Sequence, residues 1–233
     1  MIVPPGDIPR GIRCTRNERA LQADLIAGHL LAMLARVHPE TFRHSQRVAY
    51  LSLRLSLSIG SSAQELETLR IGAQLHDLGK LGIPLRLLEK AGPLNGTEFE
   101  IVKEHPVLGA QFLEGLGLGP EILSIVMHHH ERWDGLGYPN ELAGNEIPIM
   151  ARIVALADVF DALTSHRSYR NTLSVDDALQ VIVEGAGNQF DPCLVRDFIR
   201  LDFSQMPNRS VSGAVGRHGK ASRWPRLFQL AAV

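Results

Sequence analysis

The sequence has little of what marks a secreted, membrane-bound or nucleic-acid-binding protein. Its 233 residues include only two cysteines, Cys14 and Cys193, which stand too far apart in the chain for a metal-ligand spacing. The formal net charge is -1, which indicates no basic surface for a nucleic-acid polymer. No uninterrupted apolar run approaches the ~18 residues of a membrane span, and the N-terminus holds no signal-peptide core. We therefore expect a cytoplasmic protein with reduced thiols and no membrane partner.

The periodicity of the chain predicts one all-α domain flanked by two segments without a packing pattern. Residues 1–16 are rich in Pro and Gly and are interpreted as a leader or linker. Residues 204–233 lose helical periodicity and are interpreted as a flexible C-terminal tail. Between them, in residues 17–203, apolar residues recur at helical spacing, and no convincing strand pattern occurs. This domain is long enough to bury a substantial core.

Several of the ten histidines are predicted to lie on apolar helix faces. In a helix predicted over about residues 40–59, His44, Val48 and Leu51 follow the spacing of one inward stripe. Glu40 stands one turn before His44 on that stripe. It therefore either reaches the same site as His44 or is an exposed first-turn acid that favours the helix dipole.

Further inward histidines are predicted later in the chain. His105 lies on a predicted inward stripe that also includes Ile101 and Phe112. His129 and His130 belong to the sequence HHHE, which follows an apolar helical run. One buried histidine is commonly satisfied by hydrogen bonds alone. Several in one domain favour a shared explanation, because each buried imidazole needs partners.

The segment QLHDLGK, residues 74–80, places His76, Asp77 and Lys80 within one helical turn at the end of an apolar run. A buried imidazole, carboxylate and ammonium are costly unless they bind one another or a metal. Asp158 adds a second inward carboxylate, because it lies inside the apolar sequence VALADVFDALT. An aspartate often only orients a neighbouring histidine, so the His–Asp pair alone does not decide between these interpretations.

Taken together, the predicted inward side chains form a metal-ligand set. Five imidazoles and two carboxylates suit Fe, Mn, Zn or Ni, and seven ligands are too many for one ion. Two ions bridged by one carboxylate, ~3.5–4 Å apart, suit the hydrolysis of phosphate esters, in which a bridging hydroxide attacks phosphorus. The members of the set are His44, His76, Asp77, His105, His129, His130 and Asp158.

The order of motifs resembles the HD-GYP family of cyclic-di-GMP phosphodiesterases, a branch of the HD-domain phosphohydrolases. The motifs are HDLGK, HP, HHE, DGLGYP and ALADVFDALTSHRSY, and the match covers about residues 38–202. The resemblance implies an all-α, HD-domain-like helical bundle with a metal site in its core. It further implies that one ion is held by His44, His76, Asp77 and Asp158, and a second by Asp77, His105, His129 and His130.

The same resemblance implies substrate-binding residues and a partner. Lys80 matches a lysine that contacts the scissile phosphate and can assist the leaving group. Arg167 and Arg170 match positions that grip the substrate phosphates. The GYP loop, with Tyr138, shapes the site and is associated with GGDEF-domain partners. Some relatives carry a Glu at the position of Glu40 and bind a third ion, so two or three divalent ions, Fe or Mn, are expected.

The resulting hypothesis is a metal-dependent phosphodiesterase that hydrolyses cyclic-di-GMP to pGpG and then to GMP. One alternative is a catalytically weak regulator that binds cyclic-di-GMP or a GGDEF partner through the GYP loop. Another is a hydrolase of a different phosphoester. Ser168 stands where relatives often have Pro, and His128 makes a third consecutive histidine, but neither departure removes a ligand. The complete ligand set and Lys80 favour the enzyme.

Overall fold

The computed structural model describes residues 16–90, 92–165 and 172–204. Within these residues the regular structure is helical, and the only β-pairing is two isolated bridges, so the predicted all-α fold is confirmed. Two short 3₁₀ helices, Leu78–Gly82 and Gly144–Glu146, accompany the α-helices. The α-helices are α1 (Arg16–Val37), α2 (Pro39–Ser58), α3 (Ala63–Leu75), α4 (Leu85–Leu88), α5 (Gly96–Val102), α6 (His105–Leu113), α7 (Pro120–His128), α8 (Ile149–Thr164), α9 (Val175–Glu184) and α10 (Pro192–Phe198).

The predicted leader and tail fall almost entirely outside the described residues. Of the leader, only Arg16 is described, and it is the first residue of α1. Of the tail, only Ser204 is described. The division of the chain at these two boundaries therefore stays a prediction.

The main core forms where α2 and α8 pack against each other. Val48, Leu51 and Leu55 of α2 are fully buried, as their spacing predicts. The sequence of α8, IMARIVALADVFDALT, has apolar residues on nearly every face, and the helix is buried over most of its length. A second apolar cluster joins α1, α3 and α7 on the other side of α3. Most of the buried histidines and aspartates among the described residues lie where α2, α3, α6, α7 and α8 converge.

The end of α3 sets the position of the HDLGK motif. The helix starts at a capping box, in which the amide of Ser62 donates to Glu65 and the amide of Glu65 donates to Ser62. It ends at Leu75, earlier than the sequence pattern indicates. His76 and Asp77 therefore lie at the junction between α3 and the first 3₁₀ helix, and Lys80 lies within that 3₁₀ helix.

The predicted inward stripe from Ile101 to Phe112 is wrong. The chain forms two helices here, α5 and α6, with a break between Val102 and His105. Pro106 occupies the first turn of α6, where its missing N–H group leaves no backbone acceptor unsatisfied. The break separates Ile101, which is 39% exposed, from His105, which is fully buried. Within α6 the buried face includes His105, Gly109 and Leu113, so Phe112 lies beside that face and is 48% exposed.

The N-terminal helix α1 is long and apolar enough, over Ala20–Val37, to pass a length and composition test for a membrane span. A core helix of a soluble protein and a signal sequence pass the same test, so this helix by itself decides nothing about location. The criterion of an uninterrupted apolar run misses it because Asp24, His29 and Arg36 interrupt the sequence. Two of its leucines, Leu21 and Leu25, are largely exposed in the chain as described.

Gly79 allows the HDLGK segment to lie against the backbone of α6. A Cβ atom at this position would overlap the carbonyl of His105 and lie 2.6 Å from the amide nitrogen of Gly109. Because backbone atoms must move to make room, we expect Gly79→Ala to lower the free energy of unfolding by about 2 kcal/mol or more. Gly28→Ala in α1 is the control, since nothing lies within 4 Å of its added Cβ. Equal stability of the two variants in urea unfolding would contradict this packing.

Candidate metal centre

The seven predicted ligands converge in one buried cluster. They come from α2, the end of α3, the start of α6, the end of α7 and the middle of α8. None of the seven is more than 6% exposed. The cluster contains His44, His76, Asp77, His105, His129, His130 and Asp158.

Asp77 belongs to one of two groups of candidate ligand atoms and also faces the other group. Within each group the atoms lie within 4.8 Å of one another. Oδ2 of Asp77 lies 3.5 Å from Nε2 of His76 and 3.8 Å from Nε2 of His44. Oδ1 lies 3.3 Å from Nε2 of His105. One carboxylate oxygen therefore faces each group, as a bridging ligand requires. The groups are His44, His76 and Asp77, and His105, His129 and His130.

Several buried atoms of the cluster lack hydrogen-bond partners among the described residues. These include Nε2 of His44, His76 and His130, and Oδ1 of Asp158. Nε2 of His44 and Oδ1 of Asp158 lie 2.9 Å apart without hydrogen-bond geometry. Unsatisfied buried polar atoms are rare in folded proteins, and imidazole lone pairs with carboxylate oxygens are the donors that Fe, Mn and Zn prefer. The residues of the cluster therefore fit divalent metal ions.

Local backbone geometry orients three of the histidines. In His76, His105 and His129, the Nδ1–H group donates to the backbone carbonyl three residues earlier, at 2.7–2.8 Å. This hydrogen bond places the proton on Nδ1 and leaves the lone pair of Nε2 free for the cluster.

The electrostatics of the cluster suit cation binding. Burial lowers the pKa of His105 to about 4, and the charge of Lys80 contributes. Burial and the neighbouring imidazoles lower the pKa values of His129 and His130 well below the usual value. Burial by itself raises the pKa of Asp77, but Lys80 and the surrounding histidines hold it well below its usual range. His105, His129 and His130 are therefore neutral beside the ionised carboxylate of Asp77, the protonation states in which these groups bind metals. At His44 burial by itself lowers the pKa, but Asp158 and Asp161 outweigh it and raise the pKa to about 9, so a metal ion at this position would displace the proton on Nε2.

Lys80 lies where the sequence predicts, inside the cluster. Its side chain is only 2% exposed, and Nζ lies 2.9 Å from Oδ2 of Asp77. A buried ammonium needs a counter-charge, and in the part of the chain that the structure describes Asp77 provides one. Lys80 therefore places a positive charge directly beside the two ligand groups.

The GYP loop packs against the HHE segment. The ring of Tyr138 stacks on the ring of His130, with centroids 4.9 Å apart, and the amide of Tyr138 donates to the carbonyl of His130. The buried carboxylate of Glu131 accepts from the amides of Asn140 at 2.7 Å and Leu142 at 3.1 Å. Through these contacts the loop supports His130. The predicted contact of Tyr138 with a substrate stays a prediction.

Sequence reasoning missed two buried polar residues beside the cluster. Asp161 is fully buried and accepts a hydrogen bond from His44; its spacing of three residues from Asp158 was the available signal. His38 immediately precedes α2 and is 8% exposed, although the sequence pattern places it in a turn without an inward direction. Burial lowers the pKa of His38, and the charge of Lys80 lowers it further.

Glu40 does not join the cluster. Its side chain is 80% exposed and forms an ion pair with Arg43, so the prediction that it points inward with His44 is wrong. The first turn of α2 faces solvent, and the buried stripe begins only at His44. Arg167 and Arg170, the predicted phosphate-binding residues, lie outside the described residues, and their role stays a prediction.

Comparison with known proteins identifies the family to which this chain belongs. The HD domain family matches residues 29–194, most of the chain. This chain belongs to the HD domain family. A cyclic di-GMP phosphodiesterase of Thermotoga maritima is 43% identical over 168 residues, covering 70% of this chain and 45% of the relative. The 3′3′-cGAMP-specific phosphodiesterase 2 of Vibrio cholerae is 39% identical over 158 residues, covering 67% of this chain and 30% of the relative.

These relatives confirm the resemblance of the HD domain to the HD-GYP family. The chain spans less than half the length of either of these curated relatives. Among solved structures, an HDG"Y"P protein from Bdellovibrio bacteriovorus superposes with a TM-score of 0.60 at 20% sequence identity, covering 78% of this chain and 60% of that protein. At this identity the likeness supports the helical HD-domain fold alone.

Proposed function

We propose that this HD domain hydrolyses the phosphodiester bonds of a cyclic dinucleotide, with cyclic-di-GMP as substrate and pGpG and then GMP as products. The observation that carries the proposal is the placement of Asp77, whose two oxygens face two different ligand groups while Lys80 lies 2.9 Å away. The name of the Thermotoga maritima relative, 43% identical, supports the choice of substrate.

Two divalent transition-metal ions, Fe or Mn, fit the two ligand groups. His44, His76, Asp77 and Asp158 would hold one ion. Asp77, His105, His129 and His130 would hold the other. When bound, a pair of such ions neutralises phosphate charge and activates water at neutral pH.

The residues around the ligands have roles of their own in this proposal. Asp77, ionised and paired with Lys80, would be a ligand at both positions. Lys80 donates a hydrogen bond to an oxygen of the scissile phosphate and stabilises the charge that develops on the leaving group. Arg167 and Arg170 would bind the remaining phosphate oxygens in bidentate fashion. Burial of the cluster keeps bulk water out and strengthens each of these interactions.

The direct test is turnover by protein purified without oxygen and reconstituted separately with Fe(II), Mn(II) or Zn(II). Cyclic-di-GMP, 3′3′-cGAMP and linear pGpG are supplied in parallel, and products are separated by anion-exchange chromatography. The expected result is faster hydrolysis of cyclic-di-GMP than of 3′3′-cGAMP, with pGpG formed before GMP. A preference for 3′3′-cGAMP would favour the alternative that the Vibrio cholerae relative suggests. Metal-loaded protein that cleaves neither cyclic dinucleotide would refute the proposal.

A second candidate function is the binding of a GGDEF-domain partner through the GYP loop. The observation that favours it is Leu136, which is 76% exposed only two residues before Tyr138, the residue that stacks on His130. Leu136→Ser should weaken binding of a GGDEF domain in a titration assay while leaving hydrolysis unchanged. If a purified GGDEF domain binds the wild type and the variant equally, Leu136 is not part of such a surface.

The exposed position of Glu40 bears on the number of metal ions. Because its carboxylate faces solvent and pairs with Arg43, we expect Glu40→Gln to retain two metal equivalents and unchanged ratios of pGpG to GMP. Metal content by elemental analysis and product ratios by chromatography check this expectation. A wild type with three equivalents and a variant with two would show instead that Glu40 turns inward to bind a third ion.

A further inference from the structure

His44 differs from the other oriented histidines of the cluster in what its Nδ1 contacts. In His76, His105 and His129 the acceptor is a backbone carbonyl of the same chain segment. In His44 the Nδ1–H group donates to Oδ2 of Asp161, at 2.7 Å. The orientation of His44 therefore depends on a side chain from another helix, α8.

Asp161 is itself held rigidly. It is fully buried, and Arg47 donates to both of its oxygens, from Nε to Oδ1 at 2.7 Å and from Nη2 to Oδ2 at 2.9 Å. Such two-point pairing fixes the plane of the carboxylate as well as its position. Arg47 belongs to α2, three residues after His44, so the network joins α2 to α8 beside the cluster.

Two carboxylates of α8 lie on opposite sides of the same imidazole. Oδ1 of Asp158 lies 2.9 Å from Nε2 of His44, while Oδ2 of Asp161 lies 2.7 Å from Nδ1. With Nδ1–H engaged by Asp161, His44 directs Nε2 toward Asp158 and Asp77, where a metal ion would take the place of any proton on Nε2. Asp158 and Asp161 thus have different positions relative to the cluster, although they are one helical turn apart.

We propose that Asp161, held by Arg47, is a positioning residue that presents Nε2 of His44 to a metal ion and controls occupancy of the His44–His76–Asp77 group alone. The inference rests on the metal centre of the proposed function. The second group does not depend on Asp161, because His105 and His129 are oriented by backbone carbonyls. Loss of Asp161 should therefore weaken one metal position and spare the other.

The test measures metal binding without any nucleotide. Wild type and Asp161→Asn are dialysed against graded Mn(II), and bound equivalents are determined by elemental analysis. The expected result for the wild type is two equivalents. For Asp161→Asn we expect a 10–100-fold weaker affinity, about the effect of losing an orienting partner, at one position only. The second equivalent should return at saturating Mn(II), because Asp161 is not itself a ligand.

Two further variants separate positioning from general stability. Asp191→Asn disrupts another buried carboxylate, whose described hydrogen bonds come from Arg152 at 2.7 Å and the amide of Cys193 at 2.8 Å, neither of them a predicted ligand. It should leave both Mn(II) affinities unchanged. Arg47→Lys keeps the charge but loses the two-point geometry, so it should weaken the same single position as Asp161→Asn, by a smaller factor.

The remaining outcomes would contradict the positioning role of Asp161, the inference as a whole or the proposed function. Unchanged Mn(II) affinity in Asp161→Asn, or an equal loss in Asp191→Asn, would overturn the positioning role. Loss of one equivalent that saturating Mn(II) does not restore, with no effect of Arg47→Lys, would make Asp161 a ligand and overturn the inference. A wild type that binds no metal would refute the proposed function together with this inference. If the wild type binds two equivalents and Asp161→Asn binds them equally well, only the inference fails.

Discussion

Asp77→Ala is expected to bring hydrolysis of cyclic dinucleotides below detection and to remove at least one of two metal equivalents. Asp77 is the residue whose oxygens lie 3.3–3.8 Å from histidine nitrogens of both ligand groups. Its loss therefore affects both metal positions at once. We expect a larger fall in kcat than the roughly 10²–10³-fold that accompanies loss of one electrostatic group. Elemental analysis and single-turnover kinetics of the same preparation measure the two effects.

Stability must be separated from metal loss in this variant. Removal of Asp77 leaves the ammonium of Lys80 buried without its carboxylate, and breaking a buried pair in this way costs about 3–5 kcal/mol. The double variant Asp77→Ala with Lys80→Met removes both charges and should recover much of the unfolding free energy, but neither metal nor activity. Asp77→Asn keeps the volume and should also lose metal. Full metal content in Asp77→Asn would contradict the bridging role.

Lys80→Met is expected to lower kcat by about 10²–10³-fold while leaving metal content unchanged. The ammonium lies 2.9 Å from Asp77 but offers no lone pair to a metal, so the ligand groups stay complete without it. Its proposed contact with the phosphate strengthens as charge develops in the transition state, so KM should change less than kcat. Steady-state kinetics with cyclic-di-GMP at saturating metal checks this division.

Methionine keeps the length and apolar stem of the lysine, so the variant should fold. Lys90→Met provides the control, because that lysine pairs with Glu98 on the surface and does not belong to the cluster. We expect wild-type kcat and KM from it. If Lys80→Met loses metal together with activity, Lys80 supports the site structurally, and its direct role at the phosphate is refuted.

Local periodicity predicts the buried direction of a side chain well inside a regular helix and poorly near a helix end. His44 lies within α2, and its inward stripe with Val48 and Leu51 is confirmed. Glu40 is in the first turn of the same helix, and there the helical pattern fails, because nothing among the described residues buries its side chain, which is 80% exposed. At His105 the inward direction is correct, but the stripe that predicted it is wrong, since Phe112 is 48% exposed.

The HDLGK motif shows a related limit. The sequence predicts that His76, Asp77 and Lys80 are close together, and they are. It does not predict that α3 ends at Leu75 and that a 3₁₀ helix follows. That ending coincides with the close approach of Gly79 to the backbone of α6, a contact between segments about 26 residues apart, which no local pattern records.

The sequence by itself determined the helical class, and it predicted which types of side chain form the candidate ligand cluster and their order along the chain, because these depend on composition and on spacings within single helices. Only the tertiary structure decided what each acid does. Asp158 and Asp161 share a face of α8 and look equivalent in the sequence, yet one lies at Nε2 of His44 and the other at Nδ1. The packing of α2 against α8 makes that difference, because it brings together side chains 117 positions apart at distances that helical periodicity does not specify.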